Sequence, residues 1–331
     1  MSAYLKEMPK VELHVHLEGT ISASTAVELA ARHGISADRL PLVDGRFPDP
    51  FSDFEHFVAV YIAISKLVRE PQDLRTIAAA FARSQVEQNV LYTEVTFTAG
   101  THIDNGMDER AMWEAVSDGL GQSGPGHEIH LIVDAVRDKG AQDGARTVAL
   151  VEASSAPIVG LGLTGIEGSV AEREFRILRE AATANGLGLA VHAGEAGGPG
   201  NIIAALDDLG ADRIGHGVAA AREPRLLARL AAEGVPVEVC PSSNVALGLF
   251  PTLEDHPFPQ MLAAGVNVSV NSDDPPFFST TLTEELDIAQ RLTGLSAAGI
   301  LDLQRQAARS SFAPAETVER VLSAIDAYSI D

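Results

Sequence analysis

Short runs of branched apolar residues alternate along this chain with longer stretches rich in Ala and Leu. The short runs fit strands and fall at Val11–His16, Val90–Phe97, Ile129–Asp134, Ile158–Leu163, Leu187–Ala193, Arg213–Gly215, Val235–Cys240 and Val266–Asn271. The longer stretches carry a helical period, and three end on helix-stop signals. These are Thr25–Arg32 before Gly34, Glu172–Ala184 before Asn185-Gly186, and Asn201–Leu209 before Gly210. Residues 35–53 are irregular and hold three prolines. After the last strand come helical patterns at Leu282–Leu292, Ala297–Arg309 and Pro314–Ala327. Eight strands of parallel type, separated by helices, predict an α/β (β/α)8 barrel, with a doubly wound open sheet as the alternative. No linker divides the pattern, so one domain over residues 1–331 is expected.

The last strand refines this picture. Its valines 266, 268 and 270 take one face, and Asn267, Ser269, Asn271 and then Asp273 take the other. In a barrel the valines pack against helices and the polar set lines the interior, which branched apolar side chains normally fill. A polar interior rising to a carboxylate at the strand's C-terminal end points to a reaction site.

Composition narrows the class. Apolar residues make up 46% and charged residues 21% of the 331, which excludes a disordered or collagen-like chain. A net charge of −22 repels nucleic-acid phosphate and anionic membranes. The lone Cys240 forms no internal disulfide and excludes cysteine-rich zinc sites. No signal-peptide core or 18-residue apolar run is present, so the expectation is a cytoplasmic protein handling a small molecule.

Four predicted strand ends carry the candidate chemistry. His14 and His16, two apart on a strand, face one point. His192 precedes Gly194 and Glu195, and Glu195 is placed to act as a general acid or base. His216 stands between Gly215 and Gly217, which leave it open space. Asp273 and Asp274 repel each other unless a cation or donor lies near. Three histidines and a carboxylate suit one zinc with a position left for water, which the metal turns into a nucleophile. His216 would orient or deprotonate that water, and Glu195 would protonate the electrophile. The end of the fourth strand, Gly160–Glu167, has no lysine to be carboxylated into a bridge for a second metal.

The motifs PKVELHVHLEGT, VHAGE, RIGHG, CPSSNV and VNSDDP, in this order, resemble the adenosine deaminase family of the amidohydrolase superfamily. The resemblance runs from about Met8 to Phe278. It implies a (β/α)8 barrel with one zinc and hydrolytic removal of the 6-amino group of a purine. Carried over, His14, His16, His192 and Asp273 correspond to the metal ligands, Glu195 to the proton donor to purine N1, and His216 to the residue that handles the water. Asp274 corresponds to the N7 contact and Gly165 to the backbone N–H at N3. Members acting on adenosine usually carry Asp where this chain has Glu18, and relatives acting on adenine or aminodeoxyfutalosine carry Glu there. The run Glu94–Gly100 also departs from the adenosine pattern. The expectation is adenosine deamination, with adenine and aminodeoxyfutalosine as alternatives within the class.

A catalytically inactive purine-binding barrel is the competing class, and the full set of acid, base and metal residues argues against it. A phosphoesterase on the same scaffold lacks an Arg/Lys cluster for the phosphate. Gly160, Gly162 and Gly165 match a dinucleotide fingerprint only formally, since the first two lie within a strand rather than in the turn after it. The cytidine-deaminase type of site needs a Pro-Cys-x-x-Cys pair that one cysteine cannot supply. Phe51, Phe54 and Phe57 fit an apolar lid over a flat base, or helix packing.

Overall fold

The computed structural model describes residues 2–329, so Met1, Ile330 and Asp331 of the expected domain span lie outside the described residues. Eight strands, β1 (Lys10–His16), β2 (Val90–Phe97), β3 (Glu128–Val136), β4 (Ile158–Thr164), β5 (Gly188–Ala193), β6 (Arg213–His216), β7 (Pro236–Val239) and β8 (Asn267–Val270), pair in sequence order. Every pairing is parallel. The expected barrel is therefore present, nearly closed, with helices outside it.

The edges of the expected elements moved by small amounts with local causes. β3 extends to Val136 because it stays paired with β4 as far as Thr164. The stretch 172–184 begins as a 3-10 turn, Glu172–Phe175, before the α-helix Arg176–Asn185 ends on left-handed Gly186. The stretch 201–209 is an α-helix, Pro199–Ala204, running into a π turn, Ala205–Leu209. Pro199 starts the first, and Gly210 at φ +74° ends the second.

As expected, the valines of β8 pack into the core between sheet and helices, and its polar residues face inward. Asn271 Nδ2 donates to Ser269 Oγ at 3.0 Å. Deeper in, Arg213 donates to Glu238 Oε1 at 2.6 Å and to Glu94, all three essentially fully buried. The Phe312 ring lies 3.7 Å below the Arg213 guanidinium and closes the barrel floor. Gly160 and Gly188 are glycines because that ring occupies the space a Cβ would need. Gly160, the first glycine of the false dinucleotide fingerprint, thus serves packing.

The seam between β8 and β1 is not a regular ladder. One bridge joins Val15 and Asp273. Asp273 N–H donates to the His14 carbonyl at 3.1 Å, and His16 N–H to the Asp273 carbonyl at 3.0 Å. Side chains take over the rest: Leu13 N–H donates to Asn271 Oδ1 at 2.8 Å and Val11 N–H to Gln304 Oε1 at 2.6 Å. Buried backbone donors need partners, and here side chains satisfy them. No helix among the described residues is long and apolar enough to cross a membrane.

Candidate active site

The C-terminal strand ends meet as expected. His16 Nε2 lies 3.1 Å from His192 Nε2, and Asp273 Oδ1 lies 3.4 Å from His14 Nε2 and 3.3 Å from His16 Nε2. Ligand atoms of His14, His16, His192 and Asp273 all fall within 4.8 Å of one another. Glu238 Oε2 accepts the Nδ1–H of His14 at 2.8 Å, which fixes the ring and turns its Nε2 toward the cluster. That Nε2 is buried without a hydrogen-bond partner. An orphaned imidazole nitrogen, two more at close range and one carboxylate fit a divalent cation at the centre. Burial disfavours charge on His14 and His16, yet Asp273, with Glu238 for His14 and Asp274 for His16, outweighs it and pushes the two up to about 10 and about 9. The field that draws protons there would equally hold a metal ion.

Gly215 is part of this cluster. A Cβ there would stand 2.8 Å from His14 Cε1 and 3.2 Å from His192 Nδ1. The glycine beside His216 therefore makes room for two other histidines, a correction to the sequence reading. Gly217 answers a different need, a left-handed turn at φ +62° close to Val237.

Two site residues at strand ends sit in the left-handed region without being glycine, His216 at φ +60° and Asp273 at φ +62°. Such conformations cost on the order of 1–3 kcal/mol and persist where the surroundings over-determine them. Asp273 is held by its seam hydrogen bonds and by Ser243, whose hydroxyl donates to Oδ2 at 2.6 Å. His216 Nε2 is 3.6 Å from Glu195 Oε1 and 4.0 Å from Asp273 Oδ2. The loop carrying Glu195 is pinned by Glu167, which accepts the N–H groups of Gly194, Glu195 and Gly197 at 2.6, 2.8 and 3.1 Å. Burial, with Asp273 and Glu167 adding negative charge, holds the Glu195 carboxyl well above the usual carboxylate range.

A cavity of about 270 Å³ opens over these groups. Glu18, Gly165, Glu195, His216, Asp273 and Asp274 line its inner part, while His14 lies beneath. Asp274 Oδ1 is buried and unpartnered, and Gly19 lacks a Cβ because Asp274 fills that space. Glu18 Oε1 accepts from His102 Nε2 at 2.9 Å and from Thr98 N–H at 3.3 Å, leaving Oε2 without a partner. The outer wall is apolar: Phe54, Phe57, Val58 and Ile62 on one side, Ile166 on another. Of the three phenylalanines expected as a lid, Phe54 and Phe57 line the cavity, and Phe51 packs edge-on behind Phe57 at 5.3 Å. Lys66 and Lys139 stand among the lining residues; Lys139 pairs with Asp104, and Lys66 pairs with no acid among the described residues.

Sequence reading missed Glu238, Glu167, Ser243, Asn244 and His256. Ser243 and Asn244 sit inside the quoted CPSSNV motif, so a signal was at hand. Glu238 sits one pleat before the Cys240 that ends the predicted strand, an acidic residue on an inward face, which was equally readable. Nothing local marks Glu167 or His256.

A family model described as adenosine deaminase matches residues 9–328. The aminodeoxyfutalosine deaminase of Streptomyces coelicolor is 38% identical over 337 aligned residues, covering 99% of this chain and 86% of that protein. The adenine deaminase of the same organism is 35% identical over 98% of this chain and 96% of that one. Among solved structures, an adenine deaminase from Arthrobacter aurescens superposes with a TM-score of 0.89 at 31% identity, covering 96% of this chain and 98% of that chain.

Proposed function

The chain belongs to the adenosine deaminase family and is an aminohydrolase acting on a C–N bond, and from that premise we propose that it deaminates a 6-aminopurine bearing an extended N9 substituent, of the aminodeoxyfutalosine kind. Water replaces the 6-amino group with oxygen, and ammonia leaves. The observation that carries the substrate choice is the shape of the cavity. Its inner, polar end suits a purine, and beyond it run an apolar wall and a margin holding Lys66 and Lys139. A bare base would leave that outer half wet, and its volume approaches the ~300 Å³ at which drug-sized ligand pockets begin. Two of only four lysines in a chain of net charge −22 suit a substituent that ends in an anion. Free adenine is the second reading, favoured by the 0.89 superposition on an adenine deaminase. None of the three relatives described is named for adenosine, so the expectation of adenosine gives way to these two.

His14, His16, His192 and Asp273 would hold one zinc. When bound, zinc lowers the pKa of water and so supplies a nucleophile at neutral pH. Purine N1, N3 and N7 are all hydrogen-bond acceptors, and the proposed partners are donors: the neutral carboxyl of Glu195 at N1, Gly165 N–H at N3 and, at N7, the carboxyl of Asp274, which burial and the neighbouring Asp273 hold well above the usual carboxylate range and so protonated. Proton donation from Glu195 to N1 drains electron density from the ring and opens C6 to attack. The Glu167 clamp keeps that carboxyl on station. Glu18 Oε2 is the free acceptor for an N9 group.

Steady-state kcat/KM on aminodeoxyfutalosine, adenine and adenosine, measured side by side, tests the reading. The first should lead by at least about tenfold, a difference of ~1.4 kcal/mol in transition-state binding. A lead for adenine would transfer the assignment to the free base.

A further inference from the structure

A chain of hydrogen bonds behind the site ends on His216. The backbone N–H of Phe258 donates to Nδ1 of His256 at 3.1 Å. A backbone amide can only donate, so this Nδ1 accepts and the His256 proton sits on Nε2. From there it is donated to Asn244 Oδ1 at 3.0 Å. With its oxygen engaged, Asn244 turns its NH2 to Nδ1 of His216 at 3.3 Å. Nδ1 of His216 is thus an acceptor, and its proton sits on Nε2. Turning the Asn244 amide over offers no escape, because both His256 nitrogens would then have to accept, and a neutral imidazole keeps one N–H. His216, Asn244 and His256 are each at most 2% exposed, so bulk water does not supply other partners.

We propose that Asn244 and His256 are positioning residues that hold His216 in its Nε2–H tautomer, so that His216 offers the reacting atoms a hydrogen-bond donor and not a base. Its Nε2 looks onto the gap between Glu195 Oε1 and Asp273 Oδ2, at 3.6 and 4.0 Å. An imidazole already carrying a proton on that nitrogen cannot take another there from the attacking water. It orients the oxygen and stabilises negative charge on it. Of the two roles open for His216 in the sequence, orienting and deprotonating, the relay selects the first. The order of the relay matters, since a histidine held in the wrong tautomer keeps its position and loses its function.

Long-range ¹H–¹⁵N correlation spectra of the metal-loaded protein, labelled at its histidines, read the tautomer directly. The His216 signal is assigned by its loss in His216→Gln. At pH 7 the wild-type Nδ1 should be bare and Nε2 protonated. Asn244→Asp places an acceptor-only carboxylate between the two rings, so the His216 proton should move to Nδ1. With it kcat should fall by about 10²- to 10⁴-fold, the range spanned by lost acid–base groups and wrong tautomers, while KM stays within about threefold. A wild-type His216 protonated on Nδ1 overturns the proposal without any variant that must fold. So does an Asn244→Asp protein that keeps Nε2–H, and a reversed tautomer with unchanged kcat refutes the catalytic half. The kinetic arm rests on the deaminase reading, but the spectra need no substrate, so failure of the substrate assignment leaves the tautomer result standing.

Discussion

Gly215→Ala adds one methyl group at the point where three site elements converge. The new Cβ would stand 2.8 Å from His14 Cε1, against an optimal carbon separation of about 3.5–4.0 Å. The His14 ring must therefore retreat by roughly 0.7–1.2 Å. It is not free to do so, because Glu238 holds its Nδ1 at 2.8 Å and Arg213 holds Glu238 at 2.6 Å. Moving instead toward His192 is blocked as well, with Nδ1 of that ring 3.2 Å from the same Cβ. Site constellations tolerate displacements of about 0.5 Å, so the shift exceeds the margin. Metal affinity should drop by at least the ~10–100-fold that follows loss of a ligand's supporting contact. Overpacking should cost a further ~1–3 kcal/mol of stability. Metal retention against a competing chelator, with thermal unfolding of the loaded and stripped forms, measures both. Gly217→Ala is the contrast: its strain falls on a left-handed backbone and on Val237, so stability should fall while metal affinity holds. A Gly215→Ala protein that keeps wild-type affinity within about threefold, with full activity, would refute the steric argument.

Glu195→Gln keeps the shape of the side chain but has no proton to give N1, so kcat should drop by ~10²–10⁴-fold with metal content unchanged; a rate within about threefold of wild type removes Glu195 from the mechanism. Metal analysis of protein purified without chelator should give one ion per chain held by His14, His16, His192 and Asp273; a reproducible two, or full activity with none, contradicts the assignment. Burial raises Glu285, hydrogen-bonded to Thr280 and Ser242, from 4.5 to about 7. Between those values the folded state holds a proton that the unfolded chain has released, so stability falls as pH rises from 4.5 to 7 and stays reduced above. Glu285→Gln cancels this, and its stability relative to wild type should improve by about 3 kcal/mol between pH 4 and pH 8; denaturant unfolding at the two pH values that shows no such difference counts against the shift.

What was legible in the sequence followed local rules. Strand ends carrying His14, His16, His192, His216 and Asp273 are visible because a period of two and a following turn mark them without reference to the rest of the chain. The polar inner face of β8 was readable for the same reason. The invisible part is what joins distant segments. Glu94 and Arg213 are 119 positions apart, and His14 and Glu238 are 224 apart. Phe312 comes after three quarters of the chain and yet explains why Gly160 and Gly188 are glycine. The function of Gly215 was misread because its sequence neighbour is His216, while its neighbours in space are His14 and His192. Asn244 lay in a quoted motif, but only the position of His256 shows which way its amide must point.

The irregular seam between β1 and β8 has a consequence for how the protein comes into being. His14 and His16 lie on the first strand and Asp273 just past the last, and each side supplies hydrogen bonds the other lacks. A nascent chain carries its first two histidines for 257 further residues before their carboxylate partner exists. At ~5–20 residues per second, that is about 10–50 s during which the ribosome displays half a site. No fragment ending before β8 can close the wall that holds His14 against Asp273. Assembly of the full set His14, His16, His192 and Asp273 is therefore timed by the arrival of the final strand rather than by the folding of the first.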